Sequence, residues 1–250
     1  MAGDGLRAAV EDLPNGWSGR YFTSLGSTQD TARQAAARAG APSRSIVVAD
    51  YQAAGRGRHG RAWIAPPGAA LMLSVVFRDT AAVPVRWTNL ASVALVEAIE
   101  EVVPTLRPAI KWPNDIMLND QKVAGILADT TWDGVELVAI VGVGVNVNSS
   151  PADLVPFGAT SLRAASGGAV DRGHLLRALV RRLDNWLALP VEQLHAAWQA
   201  RLWGRGQRLR LVDLGREETV VVLGADPDGS LRVRRRDGTE RTTMTGELIV

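Results

Sequence analysis

Residues 55–63 combine side chains that bind anions with a backbone that can approach a ligand closely. They read GRGRHGRAW. Glycine permits sharp turns, guanidinium groups form paired hydrogen bonds to phosphate or carboxylate oxygens, and the indole of Trp63 offers a flat face to a base. The segment predicts a site for an anionic, base-bearing ligand. A solvated basic loop and a loop that contacts nucleic acid are the alternatives, and the Walker A phosphate-loop motif is absent.

Lysine is rare in this chain, and both lysines lie in one short segment. Lysine and arginine together number 28, and all of them except Lys111 and Lys122 are arginines. An ammonium group is a compact charge that a planar guanidinium replaces poorly, so a retained lysine is a candidate for chemistry. A compositional bias toward arginine is the alternative. Both lysines are candidates on this ground, although strand alternation is expected to direct Lys111 away from Asn114.

Two further segments could border the same ligand. In Lys111-Trp112-Pro113-Asn114-Asp115, proline restricts the backbone between two apparent strands and would hold the polar pair at a strand edge. The alternative is that this pair only binds turn amides. In residues 141–148, VGVGVNVN, alternating glycines bare one face of a strand, which suits a ligand lying against it. By themselves these glycines favour close packing of a helix instead.

Hydrophobic periodicity predicts the elements that position these segments. Ser27 to Asp30 is typical of a capping box that begins a helix ending at Ala39. Further helices are predicted over residues 85–103, 171–189 and 191–203. Strands are predicted over residues 21–25, 46–49, 71–77, 109–112, 116–118, 122–127 and 135–147.

The pattern changes near Gly204, where short alternating runs begin. They occupy residues 208–212, 219–223, 231–235 and 242–250, with turns at Asp228-Gly229 and Asp237-Gly238. This spacing predicts a small all-β domain. We therefore expect a weakly ordered lead-in over residues 1–20, a large domain with the site over 21–204, and a β domain over 205–250.

Composition excludes several classes of protein. The chain has 250 residues, 46% of them hydrophobic and 22% charged, with a net charge of +2. It contains no cysteine, which excludes disulfides and thiolate sites. No apolar run approaches the roughly 20 residues of a membrane span, and the N-terminus does not resemble a secretory signal. The expected location is the cytoplasm, without a membrane partner.

Taken together and in order, these segments resemble a biotin protein ligase. The resemblance rests on Ser27-Thr28, Tyr51-Gln52 leading into GRGRHGRAW, then KWPNDI, KVAGIL and VGVGVNVN, and it extends from about Tyr21 to the C-terminus. It implies an α+β fold, in which a mixed sheet with helices, similar to class II aminoacyl-tRNA synthetases, precedes an SH3-like β-barrel. It also implies two steps. Biotin reacts with MgATP to form biotinyl-5′-AMP, and a lysine of a biotin carboxyl carrier domain then takes the biotin.

The resemblance implies three groups of site residues. The catalytic group would be Lys122, Arg56, Arg58 and Asp115. The biotin-binding group would be Ser27, Thr28, Gln52, Gly55, Arg56, Lys122, Gly125 and Gly142. The ATP-binding group would be Arg58, Arg61, Trp63, Asn114, Lys122 and Asn146. Mg²⁺ would be held through the ATP phosphates, with Asp115 as a candidate ligand.

The chain departs from the family pattern in places. Gln29 replaces a frequent asparagine, so no ligand role is assigned to it. About 20 residues precede the catalytic pattern, too few for the DNA-binding domain of some members, so no DNA partner is expected. The chain ends at Val250 without the arginine that some members place there to reach ATP. The expected partner is the carrier domain of an acyl-CoA carboxylase, with the ligase as a monomer or homodimer.

Two other functions remain as alternatives. A lipoate–protein ligase would share the fold and the acyl-adenylate chemistry, but KWPNDI and GRGRHGRAW match the biotin branch more closely. A nucleic-acid-binding module could use the arginine loop and the arginines of residues 232–236. Single-strand binders stack bases on several exposed aromatic side chains, and only 5% of this chain is aromatic.

Lys122→Ala should fold normally and lose most adenylation. The ammonium would hold the biotin carboxylate and the α-phosphate together, and removing one preorganised donor of this kind typically costs roughly 2.7–4 kcal/mol of transition-state stabilisation. Biotin-dependent pyrophosphate release measures the loss, and near-normal release by the variant would contradict the assignment.

Overall fold

The computed structural model describes residues 5–38, 42–79 and 84–249, and these form two β-sheets with helices packed mainly on the larger one. The helices are α1 (Leu6–Glu11), α2 (Thr28–Ala36), α3 (Pro84–Val102), α4 (Pro151–Leu154), α5 (Leu162–Ser166), α6 (Arg172–Leu187) and α7 (Val191–Ala200). The strands of the larger sheet are β1 (Ser18–Phe22), β2 (Ser45–Ala49), β3 (Ala70–Asp79), β4 (Ala109–Lys111), β5 (Asp115–Leu118), β6 (Gln121–Trp132) and β7 (Leu137–Asn146). The strands of the smaller sheet are β8 (Arg208–Asp213), β9 (Arg216–Ala225), β10 (Leu231–Arg234), β11 (Glu240–Thr243) and β12 (Glu247–Ile249). The predicted α+β class is confirmed.

The larger sheet has the strand order β1-β2-β3-β7-β6-β5-β4. Strands β1 and β2 are parallel, and the other neighbouring strands are antiparallel. Near the middle of the sheet, Ser74 of β3 lies opposite Gly142 of β7, and Gly144 of β7 lies opposite Gly125 of β6. Because side chains alternate along a strand, this register decides which residues share a face.

The two faces of this sheet have different roles. On one face, side chains of β3 such as Val75 and Phe77 join the main core with α3 and α6, and the Phe77 ring stacks on Trp87 with centroids 4.7 Å apart. On the other face, α2 covers one end through Ala32, which packs with Val76 and neighbouring side chains. The rest of that second face remains open and forms the floor of a cavity.

The N-terminal segment is folded, so the prediction of a weakly ordered lead-in is wrong from residue 6 onward. Leu6, Ala9 and Val10 of α1 are buried in the main core. Trp17 meets Phe77 edge-on with ring centroids 6.2 Å apart. The apolar positions have helical spacing, but a six-residue helix is too short for periodicity to stand out, and its stability comes from packing.

Helix α2 begins where the sequence predicts, but its capping box does not form. Ser27 is the N-cap residue in an extended conformation, and its side chain accepts no capping hydrogen bond. Asp30 instead pairs with Arg33 at 2.8 Å and with Arg56 at 2.9 Å. The Ser27 hydroxyl therefore keeps its hydrogen-bonding capacity. The helix ends at Ala36, and the predicted end at Ala39 lies outside the described residues.

The smaller sheet is antiparallel, with the strand order β11-β10-β9-β8-β12. The single run predicted over residues 242–250 divides at Gly246, whose φ is 120°, so that β12 can return to pair with β8. The predicted all-β C-terminal region is confirmed. The change from helix to sheet falls between Ala200 and Arg208, and the domain limits at residues 20 and 204 stay predictions.

Within the part of the chain that the structure describes, none of the helices combines the length and the apolar character that crossing a membrane would require.

Leu6→Ala should destabilise the protein by about 2–5 kcal/mol, because truncating a fully buried leucine removes apolar contacts and leaves a cavity. Urea unfolding measures the change. Leu189→Ala is the matched control, since Leu189 is exposed and its loss should cost less than about 0.5 kcal/mol. Equal stability of both variants would contradict the placement of α1 in the core.

Candidate active site

A cavity of about 440 Å³ lies between the open face of the larger sheet, the loop of residues 55–63, the β4–β5 corner and the smaller sheet. The predicted site residues line it, except Gly55 and Asn146. The smaller sheet adds wall residues that the sequence prediction missed: Val212, Asp213, Leu214, Thr245, Gly246, Glu247 and Ile249. Most of them carry no motif, because they reach the cavity only through the docking of the two sheets, although the resemblance links the end of the chain to ATP in some members.

One end of the cavity is polar and uncharged. The Gln52 side-chain oxygen accepts hydrogen bonds from the backbone N–H of Thr28 at 2.7 Å and from its hydroxyl at 3.0 Å. The Gln52 amide nitrogen lies 3.3 Å from the sulfur of Met72, a weak acceptor. The buried Ser27 hydroxyl has no hydrogen-bond partner among the described residues. This end therefore has hydrogen-bonding capacity left for a neutral polar ligand.

Gln29 lies at the same end, although the sequence prediction assigned it no ligand role. Its amide nitrogen donates to the Ile140 carbonyl at 2.8 Å, and the Ser74 hydroxyl lies 2.9 Å from its side-chain oxygen. A Cβ at Gly142 would lie 2.7 Å from that oxygen. The resemblance implies that the bare backbone at Gly142 makes room for a ligand. In the structure it also makes room for the side chain of Gln29.

The Trp63 indole packs against the glycine pair of β6 and β7. A Cβ at Gly144 would lie 2.6 Å from the ring, and one at Gly125 would lie 3.4 Å from it. The Lys122 ammonium is 6.0 Å from the ring centroid. The alternative that these glycines serve helix packing is therefore wrong at Gly144, where the close neighbour is the loop tryptophan.

The opposite end of the cavity is cationic. The Lys122 ammonium lies 2.7 Å from the carboxylate of Asp115. Arg58 donates to the side-chain oxygen of Asn114 at 3.0 Å, and the Asn114 amide donates to the Ile126 carbonyl at 2.8 Å. Burial lowers the pKa of Arg58, while the charges of Asp115 and Glu247 oppose that shift. Anchored in this way, Lys122 and Arg58 present fixed positive charge to an anion.

Lys111 also lines the cavity, so the prediction that it points away is wrong. Strands β4 and β5 form a tight hairpin around Pro113, and Lys111 lies directly opposite Asp115. Cross-strand partners share a face, whereas the sequence argument counted alternation through the corner as one strand. The Lys111 ammonium lies 3.6 Å from the carboxylate of Glu247. Burial raises the pKa of Glu247, but the positive charges of Lys111 and Arg61 lower it by more, so the net shift is downward.

Each arginine of the loop is bound to a different element. Arg56 pairs with Asp30 of α2 at 2.9 Å, Arg58 binds Asn114, and Arg61 pairs with Glu247 of β12 at 3.3 Å. The side chains of Arg56 and Arg61 are more than half exposed, and such pairs contribute little to stability. An anionic ligand could therefore displace the carboxylate partners of Arg56 and Arg61 at little cost in free energy.

Gly55 and Asn146 do not line the cavity, and the ligand contacts that the resemblance implies for them stay predictions. A Cβ at Gly55 would lie 2.3 Å from the Trp63 carbonyl, so this glycine lets the two ends of the loop meet. The buried amide of Asn146 donates to the Thr160 carbonyl at 3.1 Å. It therefore secures the connection after β7.

Protein groups alone do not form a metal centre in the described ranges, where no set of three or more His, Cys, Asp or Glu side chains is placed to hold an ion. Mg²⁺ commonly binds through one or two carboxylates together with substrate phosphates and water. Asp115, whose carboxylate is paired with Lys122, stays a predicted ligand of this kind.

Comparison with known proteins places this site in a family. The model of the biotin/lipoate A/B protein ligase family matches residues 21–146. A biotin–[acetyl-CoA-carboxylase] ligase from Mycobacterium tuberculosis is 37% identical over 242 residues, which cover 91% of this chain and 87% of that protein. The chain belongs to the biotin/lipoate protein ligase family. A bifunctional ligase/repressor BirA from Bacillus subtilis is 34% identical over 234 residues, covering 88% of this chain and 70% of that protein.

Solved ligases of the family share the fold. A biotin protein ligase from Aquifex aeolicus, in complex with biotin and ATP, matches with a TM-score of 0.72 at 23% identity over 92% of this chain and 97% of that one. A biotin protein ligase from Leishmania major, in complex with biotinyl-5-AMP, matches with a TM-score of 0.65 at 26% identity over 93% and 100%. The α+β arrangement with a separate C-terminal sheet is thus that of the family.

Gly144→Ala should displace the Trp63 indole, because the added methyl group would overlap the ring. Near-ultraviolet circular dichroism, which reports on tryptophan packing, should change relative to the wild type. Gly168→Ala is the matched control, since a Cβ there meets nothing within 4 Å. In a Trp63→Ala background the Gly144 substitution should be silent, and an unchanged spectrum in the native background would contradict the packing.

Proposed function

We propose that this chain is an ATP-dependent biotin protein ligase that forms biotinyl-5′-AMP and transfers biotin to a lysine of a biotin carboxyl carrier domain. Biotin has a neutral, hydrogen-bonding ureido ring, an apolar body and chain, and a carboxylate. The cavity offers the matching sequence of environments. Its polar end carries Ser27 and Gln52, its wall includes apolar side chains of the sheet, and its cationic end carries Lys122.

The order of these environments along the sheet is the observation that carries the proposal. Gln29 and Ser74 lie at the level of Gly142, whereas Trp63 and Lys122 lie at the level of Gly144 and its partner strand. Two residues along a strand separate these levels by roughly 7 Å. A biotin molecule lying on this face of the sheet would therefore place its ureido ring at the level of Gly142 and its carboxylate at the level of Gly144.

The polar end also favours biotin over lipoate, the other substrate in the family name. A dithiolane ring lacks the N–H and carbonyl groups of a ureido ring. A lipoate head would leave the buried Ser27 hydroxyl without a partner, and an unpaired buried polar group costs about 1–3 kcal/mol. The ureido ring would supply that partner.

In adenylation, the cationic end would bring together two groups that repel each other. Lys122 and Arg58 would hold the biotin carboxylate against the α-phosphate of ATP, and Arg56 and Arg61 would exchange their present carboxylate partners for ligand oxygens. The carboxylate oxygen bonds to phosphorus as pyrophosphate leaves. Mg²⁺ on the phosphates, with Asp115 as its candidate protein ligand, would neutralise part of their charge. Fixed positive charge at the transferring group lowers the barrier.

In the second step the carrier domain approaches the same site from solvent, and biotin is transferred to its lysine. The amine of the carrier lysine attacks the acyl carbon, an amide bond forms, and AMP leaves. We propose an acyl-CoA carboxylase carrier domain as the partner and the cytoplasm as the location. The state of the ligase, monomer or homodimer, stays a prediction.

A nucleic-acid-binding role is less well supported, because the arginines of residues 232–236 are largely paired within the protein. Arg234 lies 2.9 Å from Glu240, and Arg235 lies 2.9 Å from Glu218. Arg236 donates to the hydroxyl of Thr219 at 3.1 Å. Such pairing reduces the positive field that phosphate binding requires.

ATP–pyrophosphate exchange should depend on biotin and should not respond to lipoate, because only biotin satisfies the polar end and the cationic end together. The exchange of labelled pyrophosphate into ATP measures the first half-reaction without a carrier protein. Exchange with lipoate but not with biotin would reverse the assignment within the family.

Ser27→Ala makes the same experiment specific to the ureido end. We expect the KM for biotin to rise about tenfold, in line with the loss of one buried hydrogen bond, with little change in the KM for ATP. Ser150→Ala, at the exposed cap of α4, is the matched control and should leave both constants unchanged.

A further inference from the structure

A buried arginine behind the cavity holds the frame of the loop. Arg172, the first residue of α6, has a side chain that is only 5% exposed, and it does not line the cavity. One guanidinium nitrogen lies 2.8 Å from the carboxylate of Asp50, and the other donates to the carbonyl of Ala70 at 3.0 Å. A single side chain therefore spans two points that are far apart in sequence.

These two points are the ends of the segment that carries the loop. Asp50 follows β2, and Ala70 begins β3. The segment is closed further by a hydrogen bond from the Gly68 N–H to the Asp50 carbonyl at 3.1 Å, and Asp50 is tied to β1 by its own N–H, which donates to the Phe22 carbonyl at 3.0 Å. Arg172 thus fixes both ends of the segment that presents Gln52 and residues 55–63.

Asp50 is held from a second side by Tyr21, whose hydroxyl donates to its carboxylate. Burial, followed by the hydrogen bond and charge of Asp50, raises the pKa of Tyr21 to about 12. The phenol therefore keeps its proton and donates it to one carboxylate oxygen of Asp50, while the other oxygen lies beside the guanidinium of Arg172.

A buried ion pair contributes little net free energy to the stability of a fold. Desolvation offsets much of the attraction in a buried ion pair, and apolar side chains of similar volume often serve stability as well. A planar guanidinium, however, directs several N–H groups along fixed lines, so it can bind a carboxylate and a carbonyl at once. The arrangement favours a geometric role for Arg172.

We propose that Arg172 is a positioning residue for adenylation, acting through Asp50 and Ala70 to set Gln52 and the arginine loop; this role rests on the proposed function. The path is short. Gln52 lies two residues beyond Asp50, pairs with Leu25 in an isolated β-bridge, and holds Thr28 through its side-chain oxygen. A shift at Asp50 moves the polar end of the cavity directly.

The test compares Arg172→Lys with Arg182→Lys on the same helix. Arg182 pairs with Glu101 of α3 at 2.9 Å, away from the loop, so it controls for the loss of a guanidinium from α6. Lysine at 172 keeps the charge but cannot bind Asp50 and Ala70 in the same geometry. We expect the KM for biotin to rise about tenfold or more in Arg172→Lys, since small misplacements of binding groups are costly, and to stay unchanged in Arg182→Lys.

A second readout needs neither ligand nor activity. Trypsin cleavage after Arg56 or Arg58, followed by mass spectrometry, should be faster in Arg172→Lys than in the wild type and unchanged in Arg182→Lys. If Arg172→Lys does not fold, the double variant Asp50→Asn/Arg172→Gln removes both charges together. It should fold and show the same rise in KM and the same faster cleavage.

The outcomes separate the two proposals. Absence of biotin-dependent exchange in the wild type would overturn the proposed function. Equal biotin KM values and equal loop cleavage in the Arg172 and Arg182 variants, with exchange intact in the wild type, would overturn the positioning role alone. A loss of stability without a change in either readout would assign Arg172 to folding only and would also overturn it.

Discussion

The register between β3, β7 and β6 is the constraint on which the rest of the site depends. It places Ser74 opposite Gly142 and Gly125 opposite Gly144. These residues form the floor of the cavity, while the alternate side chains of the same strands pack in the core. A slip of one residue would reverse the faces, filling the cavity with valines and directing its polar groups toward α3 and α6. The core therefore enforces the register that the site requires.

Most of the positive charges around the cavity are paired with carboxylates. Lys122 has Asp115, Arg56 has Asp30, and Arg61 and Lys111 share Glu247. This arrangement avoids the repulsion of several unpaired cations in one cavity. Because the outer pairs are exposed and weak, it still leaves positive charge available to an anionic substrate.

The two sheets complete the site together. Glu247 of the smaller sheet reaches the cavity of the larger one, and the indole N–H of Trp112 donates to the Gly229 carbonyl at 2.9 Å. Trp203 makes the complementary contact by donating to Asp120 at 2.8 Å. The first bond ties the corner that carries Asn114 and Asp115 to the turn before β10, and the second ties the turn after β5 to the segment before β8. This explains how a hairpin with such short strands can hold polar side chains in fixed positions.

The resemblance to a family implied the fold class. The sequence by itself determined most of the strands, the longer helices α2, α3, α6 and α7, the C-terminal sheet and most of the cavity wall. These follow from local periodicity, from glycine and proline, and from motifs that each lie within a few residues, such as the loop around Arg58 and the corner before Lys122. Only the tertiary structure decided which residues meet across the sheet. It buried the short helix α1, turned Lys111 toward Asp115, directed Asn146 to Thr160 and brought Glu247 and Arg172 to the loop. The reason is physical. Local patterns report on the chemistry of neighbouring residues, whereas strand register, hairpin geometry and domain docking arise from packing between segments that are distant in the chain.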